Sequence, residues 1–364
     1  MQTYIEWNGS PDELNDVYQV INNQVYWKNH PLPGVDLDSF TPLSLNFSKD
    51  KQFVYFQNHQ VELADPNSFD IINEYYGKDT SHVFRLTNLI PECDPLTTEF
   101  LSHSFIKDAN TVFFEGTKIA GADTQSFIVL DDKYSRDYQQ IYHATTPVQS
   151  ADLTSFTPLG NDYAKDKNRI YCYGKPLNKA DHGSFKTLKS NNHHNYACDK
   201  FKVYNNLDEI LDADPATFKT LPHFFSIDKQ HAFYGYEQIT DADPNSFQVL
   251  NTWHSKDALN VYYQRDTVIS ADPNTVKIIS DDLITDANHV FYYGKHLKHL
   301  KADELTIIND VWFMDKQHVY YSTRYLPNVS AESFELLSDY GYAKDKSRIY
   351  YADTEFEDAD VASF

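Results

Sequence analysis

One unit is written twelve times along this chain with a period of 29 residues, and that period restricts the possible folds more than any other feature. Its first landmark is an aspartate at 50, 79, 108, 137, 166, 199, 228, 257, 286, 315 and 345, with Ile21 in the matching place of the opening unit. Four residues on stands Val, Ile or, once, Ala. The next residue is aromatic in every unit, from Tyr26 and Tyr55 through to Tyr320 and Tyr350. A second aspartate follows at 36, 65, 94, 123, 152, 181, 214, 243, 272, 303 and 360, replaced once by Ser330. Three residues after it comes Ser or Thr, and in nine units a phenylalanine stands one place further.

The closing half, as in Asp65-Pro66-Asn67-Ser68-Phe69, has the chemistry of a helix start. The Asp side chain can accept a free backbone N–H, and Pro loses nothing by lacking its own. Ser can bond back to the cap. One or two helical turns are expected there. The opening half pairs turn chemistry around the first Asp with a strand-forming Val-aromatic run, which predicts a β-hairpin, with residues such as Ser338 to Lys344 as its other strand. A lone 29-residue unit buries too little apolar surface to offset its ordering entropy, so units must cover one another. The expected fold is mainly β with short helices (an α+β repeat): an elongated or curved stack of about twelve hairpin-plus-helical-turn units. Residues 1–19 form an N-terminal cap and 20–364 one continuous repeat domain. A closed propeller ranks second, because propeller blades run longer and hold four strands.

Two steps break the rhythm. Four extra residues fall between Asp181 and Asp199, around Lys189 to Asn195, and two between Asp286 and Asp303, around His296 to His299. Both read as surface-loop insertions, where binding specificity tends to be placed. The 31 Lys and Arg against 53 Asp and Glu give a formal charge of -22, which argues against nucleic acid or an anionic membrane as partner and favours a basic protein. The opening residues, Met1 to Glu13, carry no cationic start and no apolar run, so a cytoplasmic location is expected. Cys93, Cys172 and Cys198 fall at unrelated spacings and read as structural thiols.

Segments such as Tyr163-Ala164-Lys165-Asp166-Lys167-Asn168-Arg169-Ile170-Tyr171 and Tyr342-Ala343-Lys344-Asp345-Lys346-Ser347-Arg348-Ile349-Tyr350-Tyr351 resemble the bacterial DKNYY family, as does the A-D-P-x-S-F close. The resemblance spans roughly residues 20 to 364. It implies a bacterial repeat protein without an established catalytic site and, through members beside toxin genes, an immunity role.

Each chemical constellation has a plainer explanation in folding. Asp212-Ala213-Asp214, Asp241-Ala242-Asp243 and Asp358-Ala359-Asp360 look like calcium pairs, but capping accounts for the second member of each. His193, His194 and Cys198 suggest zinc, yet adjacent histidines rarely meet one ion. His296 and His299 lie among Lys295, Lys298 and Lys301, which disfavour a cation. No nucleophile or phosphate-loop motif is present, so no enzyme, metal or cofactor is expected. The residue after the first aromatic varies widely and lies on the opposite strand face, which predicts a partly exposed, Tyr-rich grip for a protein. The expected partner-binding residues are therefore His193, His194, Asn195, Tyr234, Tyr263, Tyr292, His296, His299 and Tyr321. The expected function is that of a non-enzymatic immunity protein neutralising a basic cognate toxin. The alternatives are a carbohydrate or cell-envelope binding module and a metal-dependent enzyme near His193.

Overall fold

The computed structural model describes residues 17–189, 195–337, 341–356 and 361. They form twelve small antiparallel sheets in series, eleven of four strands and a first of three. Each is an up-and-down meander, such as Thr41–Pro42, Phe47–Lys49, Val54–Phe56 and His59–Val61. The expected hairpin is therefore only the inner pair of a four-stranded unit. Two short outer strands complete it, one on each side. Chain contacts divide the molecule into two compact units, 1–178 and 179–364. Among the described residues no helix is long and apolar enough to cross a membrane.

The expected helical turns are corrected as well. From Tyr18 onward, the helical structure among the described residues is three single 3-10 turns, Leu37–Ser39, Ala302–Glu304 and Ala331–Ser333, and the other linkers are turns of the same length. The capping chemistry itself is present. The Asp65 carboxylate accepts Ser68 Oγ at 2.7 Å and the Asn67 N–H at 3.0 Å. A helix cannot continue because Phe69 is drawn into the interior and Asp70–Ile71 pairs at once as the next outer strand.

Both faces of a sheet are interior in such a series. Tyr55 points back onto Val25 and Leu32 of the preceding sheet. Phe47, Val54, Phe56 and Val61 point forward, against the linker ring of Phe69 and the first aromatic of the following sheet, Phe84. The variable second-aromatic position is mixed: Phe56, Phe114, Cys172, Asn205 and Tyr292 are buried, Trp27, Arg85, His143, Tyr234, Tyr263 and Tyr321 are half-buried, and Tyr351 is exposed. Period-two alternation places it on the opposite face from the first aromatic, where a member such as Phe56 packs toward the neighbouring sheet while others keep part of their surface in water.

Joints are fitted by a size exchange eight residues apart. Where the linker carries Phe (Phe69, Phe127, Phe218, Phe247), the second strand offers Gly77, Ser135, Ser226 or Ser255. Where the linker residue is smaller (Thr98, Val276, Leu305), the strand supplies Ile106, Ile284 or Phe313. A Cβ on Gly77 would run into the Phe69 ring. Volume at each joint is held roughly constant, as close packing requires.

Candidate functional site

The two ends of each sheet do different work. One end holds the turn between second and third strands together with the linker, and it is bound into the joint by recurrent polar contacts. Asp257, 4% exposed, accepts N–H groups of Leu259 and Asn260 through Oδ1 at 2.8 and 2.7 Å. Its Oδ2 accepts the N–H of the linker residue Asp243 at 2.9 Å and the Tyr262 hydroxyl at 2.7 Å. Burial would raise this carboxyl, but those donors together hold it below its ordinary value. The Ser246 hydroxyl receives the Ala258 N–H at 3.2 Å, tying linker to turn a second time. A third tie was not visible from the repeat: Lys49, Lys78, Lys107 and Lys256 reach 17 residues on to a carbonyl of the following linker, at 2.7–3.0 Å. The recurrent polar residues are thus taken up by the fold.

Where the tyrosine hydroxyl is missing from this network, a histidine often occupies the place three residues after the aspartate, and in three units its ring nitrogen comes within 3.4 Å of that carboxylate. Phe84, Phe233 and Phe291 coincide with His82, His231 and His289. Tyr320 turns its hydroxyl to the His299 N–H, and His318 takes its place on Asp315. The Nδ1 atoms of His289 and His318 lie 3.0 Å from Asp286 and Asp315, while those of His82 and His231 stand off at 3.5 and 3.4 Å. Only Asp108, beside Phe113 and Thr111, has neither donor among these positions.

Register at one linker is also corrected. The N–H that reaches Asp315 Oδ2 belongs to Lys301, 14 residues back, as in regular units. Asp303 is therefore not the second landmark, and no insertion exists around His296 to His299. The four-residue insertion before Asp199 is real, since Asp181 N–H still reaches Asp199 Oδ2 across 18 residues. In the Asp212 and Asp241 pairs, the first member fills a left-handed turn position, at φ 61° in both, and the second bonds its own linker.

The opposite end of each sheet, formed by the first-to-second and third-to-fourth strand turns, lacks the landmark-aspartate network. It is held instead by its own backbone bonds and by a Ser, Asn or Asp cap six residues before the landmark, as at Ser44, Asn73, Asn251 and Asn309, while the residue two places after that cap varies from unit to unit. In the 179–364 unit it is aromatic and acidic. The Trp253 and Phe224 rings lie 6.3 Å apart and 13° from parallel. Asn251 fixes the neighbouring turns, accepting the Trp253 N–H at 3.0 Å and donating to the Asp281 carbonyl at 3.0 Å. Tyr293, 43% exposed, lies 6.2 Å from Tyr263, and the Tyr293–Gly294 turn sits so close that a Cβ on Gly294 would come within 2.7 Å of the Tyr263 Cβ. Asp282 has its carboxyl raised by burial and by Asp281, with Asp310 adding to the effect and Tyr293 opposing it.

The predicted binding residues scatter relative to this end. His193 and His194 lie outside the described residues. Asn195 is half-buried and its carbonyl accepts the Asn206 N–H at 2.9 Å. Tyr234 and Tyr263 are half-buried supports beneath Phe224 and Tyr293, Tyr292 is buried with its hydroxyl on the Asp310 carbonyl at 2.8 Å, and Tyr321 is half-buried against Trp312. His296 is half-buried beside His289, and His299 is exposed on Tyr325. Sequence reasoning passed over Phe224, Trp253, Asp282 and Tyr293. The first three share the place four residues before the landmark, where Asn46, Tyr75, Ser104 and Lys133 show how freely that position changes.

Among the described residues no three His, Cys, Asp or Glu side chains converge as cation ligands. The three thiols are buried, and burial pushes Cys93 up to about 11 and Cys172 to about 12, away from thiolate chemistry.

The DKNYY family model matches residues 18–144, 47–175, 134–196, 163–296 and 293–354, a cover of nearly every sheet. The chain belongs to the DKNYY family. Comparisons with curated proteins and with solved structures return no match. In this DKNYY protein the aspartate, the strand valine and the aromatic that recur are the residues that bind sheet to sheet.

Proposed function

We propose that this protein acts by binding and not by catalysis: a cytoplasmic immunity protein that neutralises a basic toxin by covering the surface the toxin needs. The observation that carries the reading is the division of labour within each sheet. The landmark aspartates close the joints at one end, while at the other end the position four residues before the landmark changes freely and, in the 179–364 unit, gathers aromatic rings and carboxylates. The formal charge of -22 would steer a basic partner into contact and speed its capture at low salt. We further propose that each six-sheet unit is an open, elongated or curved stack. Four strands per unit match propeller blades, but 29 residues is short for a blade.

The test is co-expression with each product of the flanking genes. A stoichiometric complex is expected, with association slowed by added salt, and cells expressing the protein should survive the matching toxin. If no adjacent product binds and expression protects against none, the immunity reading is wrong. Fractionation into the periplasm would remove the cytoplasmic part of it, and small-angle scattering of each purified unit separates an open stack from a ring.

A further inference from the structure

We propose that the variable end of the sheets between His223 and Ser322 is a docking rim for an extended, arginine-bearing segment of a basic protein. The proposal rests on the binding function above and locates it. Three properties coincide there. The rings of Trp253 and Phe224, both half-buried, and of Tyr293 line the rim, and the ring pairs Phe224–Trp253 and Tyr263–Tyr293 are 6.3 and 6.2 Å apart. Alternate side chains of an extended segment repeat at roughly 6.8 Å, close to the 6.3 Å between Phe224 and Trp253, so two successive outward residues can meet those two rings. Asp281, Asp282 and Asp310 stand beside them; Tyr293 bonds Asp282, and the neighbour of Asp281 is His254, whose burial keeps it from its charged form, so no cation offsets these carboxylates among the described residues.

Chemistry narrows the occupant. Uncompensated carboxylates next to ring faces favour a cation that can both lie over an aromatic face and donate to carboxylates, which is the guanidinium of arginine. The rim is also preorganised. Asn251 clamps the 251–254 and 280–281 turns, and the Tyr293–Gly294 turn rests on Tyr263, so little ordering remains for the partner to impose. The joint-forming end offers nothing comparable, because its carboxylates already accept several donors each.

The probe is a synthetic decapeptide of alternating arginine and serine, titrated into the full chain by calorimetry at ~0.15 M salt, where weak surface electrostatics are screened. Wild type should bind it and not the glutamine-for-arginine version. Trp253→Ala and, separately, Asp281→Asn with Asp282→Asn should each weaken binding by about tenfold or more. Asp38→Asn with Glu62→Gln, which removes the same charge from exposed positions in the other unit, should change it less than about twofold. Absence of binding, an unaffected Trp253→Ala protein, or an equal loss in the charge-matched control overturns the rim. If rim variants still bind and neutralise a cognate toxin as wild type does, the rim assignment falls while the immunity reading stands. Peptide binding that depends on the rim, in a protein that protects against no toxin, upholds the rim and removes the immunity reading.

Discussion

Replacing Asp257 probes the joint network most directly. The carboxylate is 4% exposed and accepts three backbone N–H groups and one hydroxyl, from Leu259, Asn260, Asp243 and Tyr262. A hydrogen bond to a charged acceptor contributes about 1.5–3 kcal/mol, whereas deleting the carboxylate also relieves its desolvation and lets water reach the exposed Leu259 turn. Asp257→Ala should therefore cost about 3–5 kcal/mol, well below the plain sum of four bonds. Asp257→Asn keeps Oδ1 for Leu259 and Asn260 but turns an NH2 toward the Asp243 N–H, and should cost about 2 kcal/mol. Tyr262→Phe removes one donor only, about 1–1.5 kcal/mol. Because a repeat series unfolds locally, urea midpoints should be paired with native-state hydrogen exchange, in which the Asp243, Leu259 and Asn260 amides lose protection first. A cost below about 1 kcal/mol for Asp257→Ala, or a Tyr262→Phe cost as large as that of Asp257→Ala, would refute this account of the joint.

Phe113→Tyr should supply Asp108 with the hydroxyl it lacks and raise stability by about 0.5–1.5 kcal/mol in urea melts, while His289→Ala should lower it. Gly77→Ala should cost about 1–3 kcal/mol by overpacking Phe69, and adding Phe69→Leu should recover most of that in the double mutant. Acid should loosen the joints. Asp50, Asp137, Asp166, Asp257 and Asp286 have folded-state values lowered by backbone and side-chain donors against the burial that opposes them. Their stabilisation is complete above the ordinary value of 3.8 and is lost as pH falls below it through the lower folded values, so circular dichroism should show unfolding on that side and little change between about pH 5 and 7.

The period, the strand-forming Val-aromatic pair and the capping role of Asp65 were all legible because each follows from local chemistry repeated in register. The outer strands were not, since two-residue segments such as Lys277–Ile278 and Lys295–His296 carry no alternation to detect. Aligning by residue type misplaced the linker at Asp303: the contact to Asp315 is made by a backbone N–H, which any residue supplies, here Lys301. The faces of Tyr55 and Phe56 were separable by alternation, but whether a face meets water depends on what covers it. The Phe69–Gly77 and Thr98–Ile106 exchanges were written eight residues apart in the chain, yet they gain meaning only once linker and strand are known to touch. The candidate rim was the least legible, because Trp253 and Asp282 share a position and no chemistry.

Both departures of the landmark step from 29 residues fall in the same kind of place, between a first and a second strand: after Lys186–Thr187 and after Glu335–Leu336. The turn after each landmark aspartate keeps its length throughout. Tandem duplication with later drift would thus be free to lengthen or recolour one end of a sheet while the other stays frozen, and a graft of foreign loops should be accepted at Asn206–Leu207 and refused at Lys51–Gln52.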